Sequence, residues 1–145
     1  MAYQEIVYPE DQSAFYQILK QQMALYTSEA PDALSALANG VSVLMTALPE
    51  INWVGCYLVR GRQLVLGPFQ GRPAVMTIEK GQGVCGTAWE TGAPQIVADV
   101  HCFSGHIACD LSSRSELVLP VMDDDGHVLA VLDVDSASPN RFSSD

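Results

Sequence analysis

Ser115-Glu116-Leu117-Val118-Leu119-Pro120-Val121-Met122 and His127-Val128-Leu129-Ala130-Val131-Leu132-Asp133-Val134-Asp135 flank the segment Asp123-Asp124-Asp125-Gly126. Two apolar, β-branched runs around an Asp-Gly turn read as an antiparallel hairpin. Side chains alternate faces along a strand, so Asp133 and Asp135 share one face while Leu132 and Val134 take the other. Glu116 joins the two aspartates if the hairpin register sets it opposite them. Either these carboxyls are strand-end groups facing water, or they share a partly dry face. In the second case mutual repulsion raises at least one pKa, leaving a proton to donate, and the cluster attracts a substrate ammonium.

Working outward from the hairpin, Ala130-Val131-Leu132 needs partners, and the preceding chain supplies them. Ile51 to Val59 is β-branched and aromatic, and Arg60-Gly61-Arg62 turns it into the apolar run Leu64-Val65-Leu66. Gly67 to Pro73 reads as a loop, Ala74 to Ile78 as a short strand, Thr87 to Thr91 as a short helix closed by Gly92, and Gln95 to Val97 as another strand. Upstream, Phe15, Ile18, Leu19, Met23 and Tyr26 recur at helical spacing within residues 9–26. A second helix begins at Pro31-Asp32, carries Leu34, Leu37, Val41, Leu44 and Leu48, and stops at Pro49. Asp99 to Arg114 is the longest polar, small-residue stretch, and such loops in compact domains are usually functional. The C-terminal Ser-Ser-Asp of residues 140–145 looks like the start of a further helix. Two helices followed by strands, with no repeated βαβ unit, define an α+β fold: a central antiparallel sheet with helices packed on one side.

The 145 residues suit one domain over residues 1–145. A formal charge of −10 is the wrong sign for phosphate neutralisation or for anionic lipid, which sets nucleic acid and membrane surfaces aside. No apolar run is long enough to span a bilayer, and Met1 to Ile6 lacks the regions of a signal peptide, so a cytoplasmic location is expected. There the cysteines at 56, 85, 102 and 109 rest as thiols.

None of these cysteines forms a C-x-x-C pair, so zinc-ribbon and thioredoxin-type motifs are absent. His101, His106, Cys102 and Cys109 are ligand types that a metal would accept, although at spacings looser than structural zinc favours. Cys56 lies mid-strand in Val54-Gly55-Cys56-Tyr57 and reads as a small buried hydrophobe. Cys85 and Cys109 sit among small residues in a loop or at an element end, where reactive groups concentrate, and are either nucleophiles or ordinary buried thiols. An attacking thiol needs donors or a dipole nearby, and His106 with the N–H groups of residues 104–110 can supply them. Trp53 is either core or a plane on which a thioether or methyl group packs. Gly81-x-Gly83-x-x-Gly86 matches a dinucleotide fingerprint in spacing but lacks the βαβ context, and is discarded.

Asn52-Trp53-Val54-Gly55, Leu64 to Gly71, Gly83-Val84-Cys85-Gly86-Thr87-Ala88, Gly105-His106-Ile107-Ala108-Cys109-Asp110, Ser115 to Pro120 and Val131 to Ser136 together resemble the free methionine-(R)-sulfoxide reductases, which are built on a GAF domain. The resemblance runs over most of residues 9–145. It implies that Cys109 attacks the sulfoxide sulfur, that Cys85 resolves the resulting sulfenic acid as a disulfide, and that thioredoxin reduces the pair. It further implies that Glu116, Asp133 and Asp135 bind the substrate and protonate its oxygen, and that Trp53 packs the methyl group. No bound cofactor is implied; a homodimer is compatible with the family. Many members carry a further cysteine where this chain has Val75, which leaves the resolving role to Cys85 or to Cys102. Relatives also continue through a C-terminal helix after an Arg-Phe-Ser segment. The alternative function is a GAF sensor that binds a small molecule without turning it over.

Overall fold

The computed structural model describes residues 2–106 and 111–145. Asp11 caps helix α1 (Gln12–Thr27), its carboxylate accepting from the Ala14 amide at 2.9 Å. Asp32 caps α2 (Ala33–Ala47) in the same way through the Ser35 amide at 2.8 Å. Each cap satisfies an amide that the helix start leaves without an internal partner. Strands β1 (Trp53–Arg60), β2 (Gln63–Gln70), β3 (Thr77–Glu79), β4 (Gln95–Val97), β5 (Ser115–Met122) and β6 (Val128–Ser136) form one sheet in the order β3-β2-β1-β6-β5-β4, every neighbouring pair antiparallel.

The last hairpin therefore becomes the centre of the sheet, because β6 pairs with β1 across most of the chain. One face carries Val54, Cys56 and Val134, packed against Val41, Leu37 and Leu44 of α2. The expected placement of helices on one side holds for α1 and α2. Helix α3 (Gly83–Thr91) lies on the other face, where Val84, Cys85, Ala88 and Trp89 join Trp53, Tyr57, Leu64, Val118 and Val131 in a second core.

The strand expected over residues 74–78 is observed at Thr77–Glu79, and three further boundaries differ from the sequence reading. Helix α3 starts at Gly83 rather than Thr87. Glycines that read as breakers are there to allow close approach: a Cβ on Gly86 would lie 2.5 Å from the Glu79 carbonyl oxygen. Strand β2 runs on through Gly67-Pro68 to Gln70, since β3 pairs only with residues 63–65 and leaves that part of β2 as an edge, where proline is tolerated. Residues 141–145 are irregular rather than helical. Cys56 is buried as expected, and burial pushes its thiol up to about 11. Among the described residues no helix is long and apolar enough to cross a membrane.

The core above the sheet depends on a nested aromatic. The Trp53 ring lies over Gly55, stacked on Phe69 with centroids 5.4 Å apart and planes at 16°. A Cβ on Gly55 would sit 2.4 Å from the indole and 2.5 Å from the Phe69 Cβ. Gly55→Ala should therefore destabilise the fold by about 1–3 kcal/mol, the usual cost of overpacking. Chemical denaturation measures this, and an unchanged midpoint would show that the stack gives way freely.

Candidate functional site

Register builds the site. Trp53 of β1 stands opposite Asp135 of β6, which stands opposite Glu116 of β5, which in turn faces Val97 of β4. In the next row on the same face, Gly55, Asp133 and Val118 align. Because alternate residues share a face, this arrangement gathers all three carboxyls on the α3 side of the sheet. All three are buried, with 2% of Glu116, none of Asp133 and 2% of Asp135 exposed.

Cys85 reaches the cluster from above. It lies in the first turn of α3, and its sulfur and one carboxyl oxygen each from Glu116 and Asp133 all lie within 4.8 Å of one another. These three atoms are of a kind and spacing that could hold a cation. They also place a thiol beside acids, as proton-coupled sulfur chemistry requires. The Glu116 carboxyl is pushed up to about 8, chiefly by burial, with the Asp135 charge adding to the rise and a hydrogen bond with Asp133 opposing it. It is thus largely protonated at neutral pH.

The end of the hairpin that bears these groups is tied down from several directions. The Asn52 amide donates to the Asp135 carbonyl at 3.0 Å and the Arg114 amide to the Ser136 carbonyl at 2.7 Å. The Ser115 hydroxyl donates to the Ser138 carbonyl, and the Ser136 hydroxyl to the Glu50 carbonyl, both at 2.6 Å. Such ties hold the carboxyl rows in one geometry despite their repulsion.

The other residues singled out from sequence are placed as follows. Cys109 lies outside the described residues. Trp53 is fully buried: its indole N–H donates to the Arg72 carbonyl at 3.0 Å, and Phe69 and Tyr57 stack against the ring. Cys102 is exposed, at the end of a 3-10 turn over Val100–Cys102. Among the described residues His101, Cys102 and His106 form no metal-holding group; the second cluster with suitable atoms is Asp123, Asp125 and His127 in the exposed hairpin turn. His106 stands against Glu116, its Nε2 3.4 Å from Oε1. Tyr57, missed by the sequence reading, shares the site face and donates from its hydroxyl to the Val75 carbonyl at 2.8 Å. The alternation Trp53-x-Gly55-x-Tyr57 was the available signal for it.

A GAF-domain family profile matches residues 41–145. Free methionine-R-sulfoxide reductase of Escherichia coli is 42% identical over 135 residues, covering 93% of this chain and 81% of that protein. The reduced form of fRMsr from Staphylococcus aureus superposes with a TM-score of 0.85 at 46% identity, covering 89% of this chain and 83% of that one. The Neisseria meningitidis free methionine-R-sulfoxide reductase in complex with its substrate gives a TM-score of 0.88 at 39% identity, over 96% of this chain and 84% of that one. The chain belongs to the GAF-domain family and, within it, to the free methionine-R-sulfoxide reductases.

The buried acid makes stability depend on pH. The Glu116 pKa is raised in the folded chain to about 8 from an ordinary value of 4.5. Its contribution is therefore complete below 4.5 and lost as pH rises through about 8. Urea unfolding should show stability falling from about pH 5 to about pH 9, and Glu116→Gln should flatten that slope, gaining on the order of 1–3 kcal/mol at the upper end. Equal slopes in the two proteins would contradict the assignment.

Proposed function

We propose that this chain is an oxidoreductase that reduces free L-methionine-(R)-sulfoxide to L-methionine through cysteine chemistry. The observation that carries this reading is the meeting of the Cys85 sulfur with Glu116 and Asp133 within 4.8 Å. Sulfoxide oxygen departs only when protonated, and a carboxyl that remains an acid at neutral pH can protonate it. Asp133 and Asp135 offer negative charge to an α-ammonium, which a free amino acid carries and a peptide-bonded residue lacks. The relatives' names support the same substrate.

In this mechanism the Cys109 thiolate bonds to the sulfoxide sulfur as its oxygen takes a proton from the acid cluster. The protonated oxygen then passes from the substrate sulfur to the cysteine sulfur as the sulfur–sulfur bond breaks, so that methionine leaves and the cysteine holds the oxygen as a sulfenic acid. Two electrons pass from the thiol sulfur to the substrate sulfur. Cys85 then attacks the sulfenic acid, forming a disulfide and releasing water. A thioredoxin dithiol returns both cysteines to thiols by exchange. The electrons thus come from thiols, with no bound cofactor, and the cycle suits the reducing cytoplasm. Trp53, in the same row as Asp135, walls the substrate's apolar end.

The test is an NADPH-coupled thioredoxin assay on the free R and S epimers and on N-acetylmethionine-R-sulfoxide. The R epimer should turn over, with the N-blocked compound poorer by at least about 100-fold because buried carboxylates are left without their partner. Cys109→Ser should abolish methionine formation, and Cys85→Ser should give about one turnover per site and lose recycling. Binding of the sulfoxide without methionine formation would instead favour a sensor.

A further inference from the structure

We propose that His106 is a positioning residue that relays protons between solvent and the buried Glu116 carboxyl. This inference rests on the reductase reading, and three observations carry it.

Geometry is the first. The Phe103 side chain is anchored in the core above the sheet, Gly105 takes φ +75°, and the His106 amide donates to the Phe103 carbonyl at 3.3 Å. That turn needs a residue free of Cβ strain at 105, and it delivers the imidazole to the acid cluster. Its Nε2 stops 3.4 Å from Glu116 Oε1.

Burial is the second. Glu116 Oε1 is shut from solvent and accepts no hydrogen bond of good geometry. The Glu116 side chain is 3% exposed and the His106 side chain 16%. Among the described residues, His106 is the titratable group that touches both an oxygen of the cluster and water. The others facing Glu116 are Asp133 and Asp135 of β6 and Cys85 of α3, all buried. Arg114, two residues before Glu116 in the chain, is paired with Asp99 at 3.4 Å.

Protonation is the third. Burial lowers the His106 pKa, so the ring rests neutral, with one nitrogen donating and the other accepting. A neutral imidazole beside a protonated carboxyl is the arrangement in which the acid is loaded and the relay is ready.

The proton count closes. When Glu116 gives its proton to the departing oxygen, its carboxylate takes the proton from His106 Nε2 as Nδ1 takes one from water. The thiol that becomes the attacking thiolate has released one proton to solvent. Thiol and sulfoxide thus become sulfenic acid and sulfide with no net proton change.

The experiment compares wild type, His106→Ala and His106→Gln in single-turnover methionine formation. His106→Ala should be slower by about 10–100-fold, with sulfoxide affinity changed by less than about twofold. Added imidazole should restore its rate, while His106→Gln, which can donate but not relay, stays slow. A second readout does not need turnover: the infrared carboxylic-acid band of Glu116, identified by its loss in Glu116→Gln, should shift in His106→Ala. Unchanged rates, or a loss that imidazole does not restore, would overturn the relay. An unshifted band would overturn the contact itself. Wild-type protein that forms no methionine would instead defeat the reductase reading, with the infrared band still deciding the contact.

Discussion

The molecule is organised around placing three carboxyl groups side by side in a dry environment. Glu116 and Asp135 are direct cross-strand neighbours, and Asp133 is two residues along the same face. Like charges opposite one another on a sheet are normally destabilising, and burial compounds the cost. The fold bears this by keeping one of them protonated and by fixing the strand ends with backbone and serine hydrogen bonds. Everything else at the site follows from that constraint. The thiol of Cys85 sits among acids, the imidazole of His106 touches one of them, and the aromatic stack of Trp53, Tyr57 and Phe69 seals the adjoining row.

Division of labour between the two faces makes this tolerable. On the α2 side, Val54, Cys56, Leu117, Leu132 and Val134 form an apolar layer with no catalytic demand. Burying such side chains contributes about 1.5–3 kcal/mol each, which offsets the polar burial opposite. The faces are not electrically isolated, because Asp133 helps to raise the Cys56 thiol through the sheet.

Much of the fold was legible because its signals are local and periodic. Helical spacing, the Pro31-Asp32 start and the Pro49 stop, the Asp-Gly turn and two-residue alternation define both N-terminal helices and the final hairpin. The sharing of a face by Asp133 and Asp135 follows from strand geometry alone, whereas the position of Glu116 opposite Asp135 depended on register. Less legible were features set by tertiary packing. The glycines around Cys85 read as loop-formers, yet they let α3 approach β3. Pro68 falls in a stretch that reads as a loop, but the shortness of β3 makes its place a strand edge. The contact of His106 with Glu116 could not be read from spacing, because a loop histidine's direction depends on where the chain before it is anchored. Trp53 had two readings; the structure gives it complete burial and a neighbour in the acid row.

The pairing of β1 with β6 joins Trp53 to Asp135, residues separated by most of the domain's length. High-separation pairings of this sort form late, since loop closure must precede the reward of contact. The three acids share the local β5–β6 hairpin and so come together without that pairing, but an isolated hairpin leaves them hydrated and their repulsion screened. The full electrostatic burden falls on them when Trp53 of β1 and Cys85 of α3 pack over the hairpin and exclude water, so the step that dries the cluster is also the one that creates its chemistry.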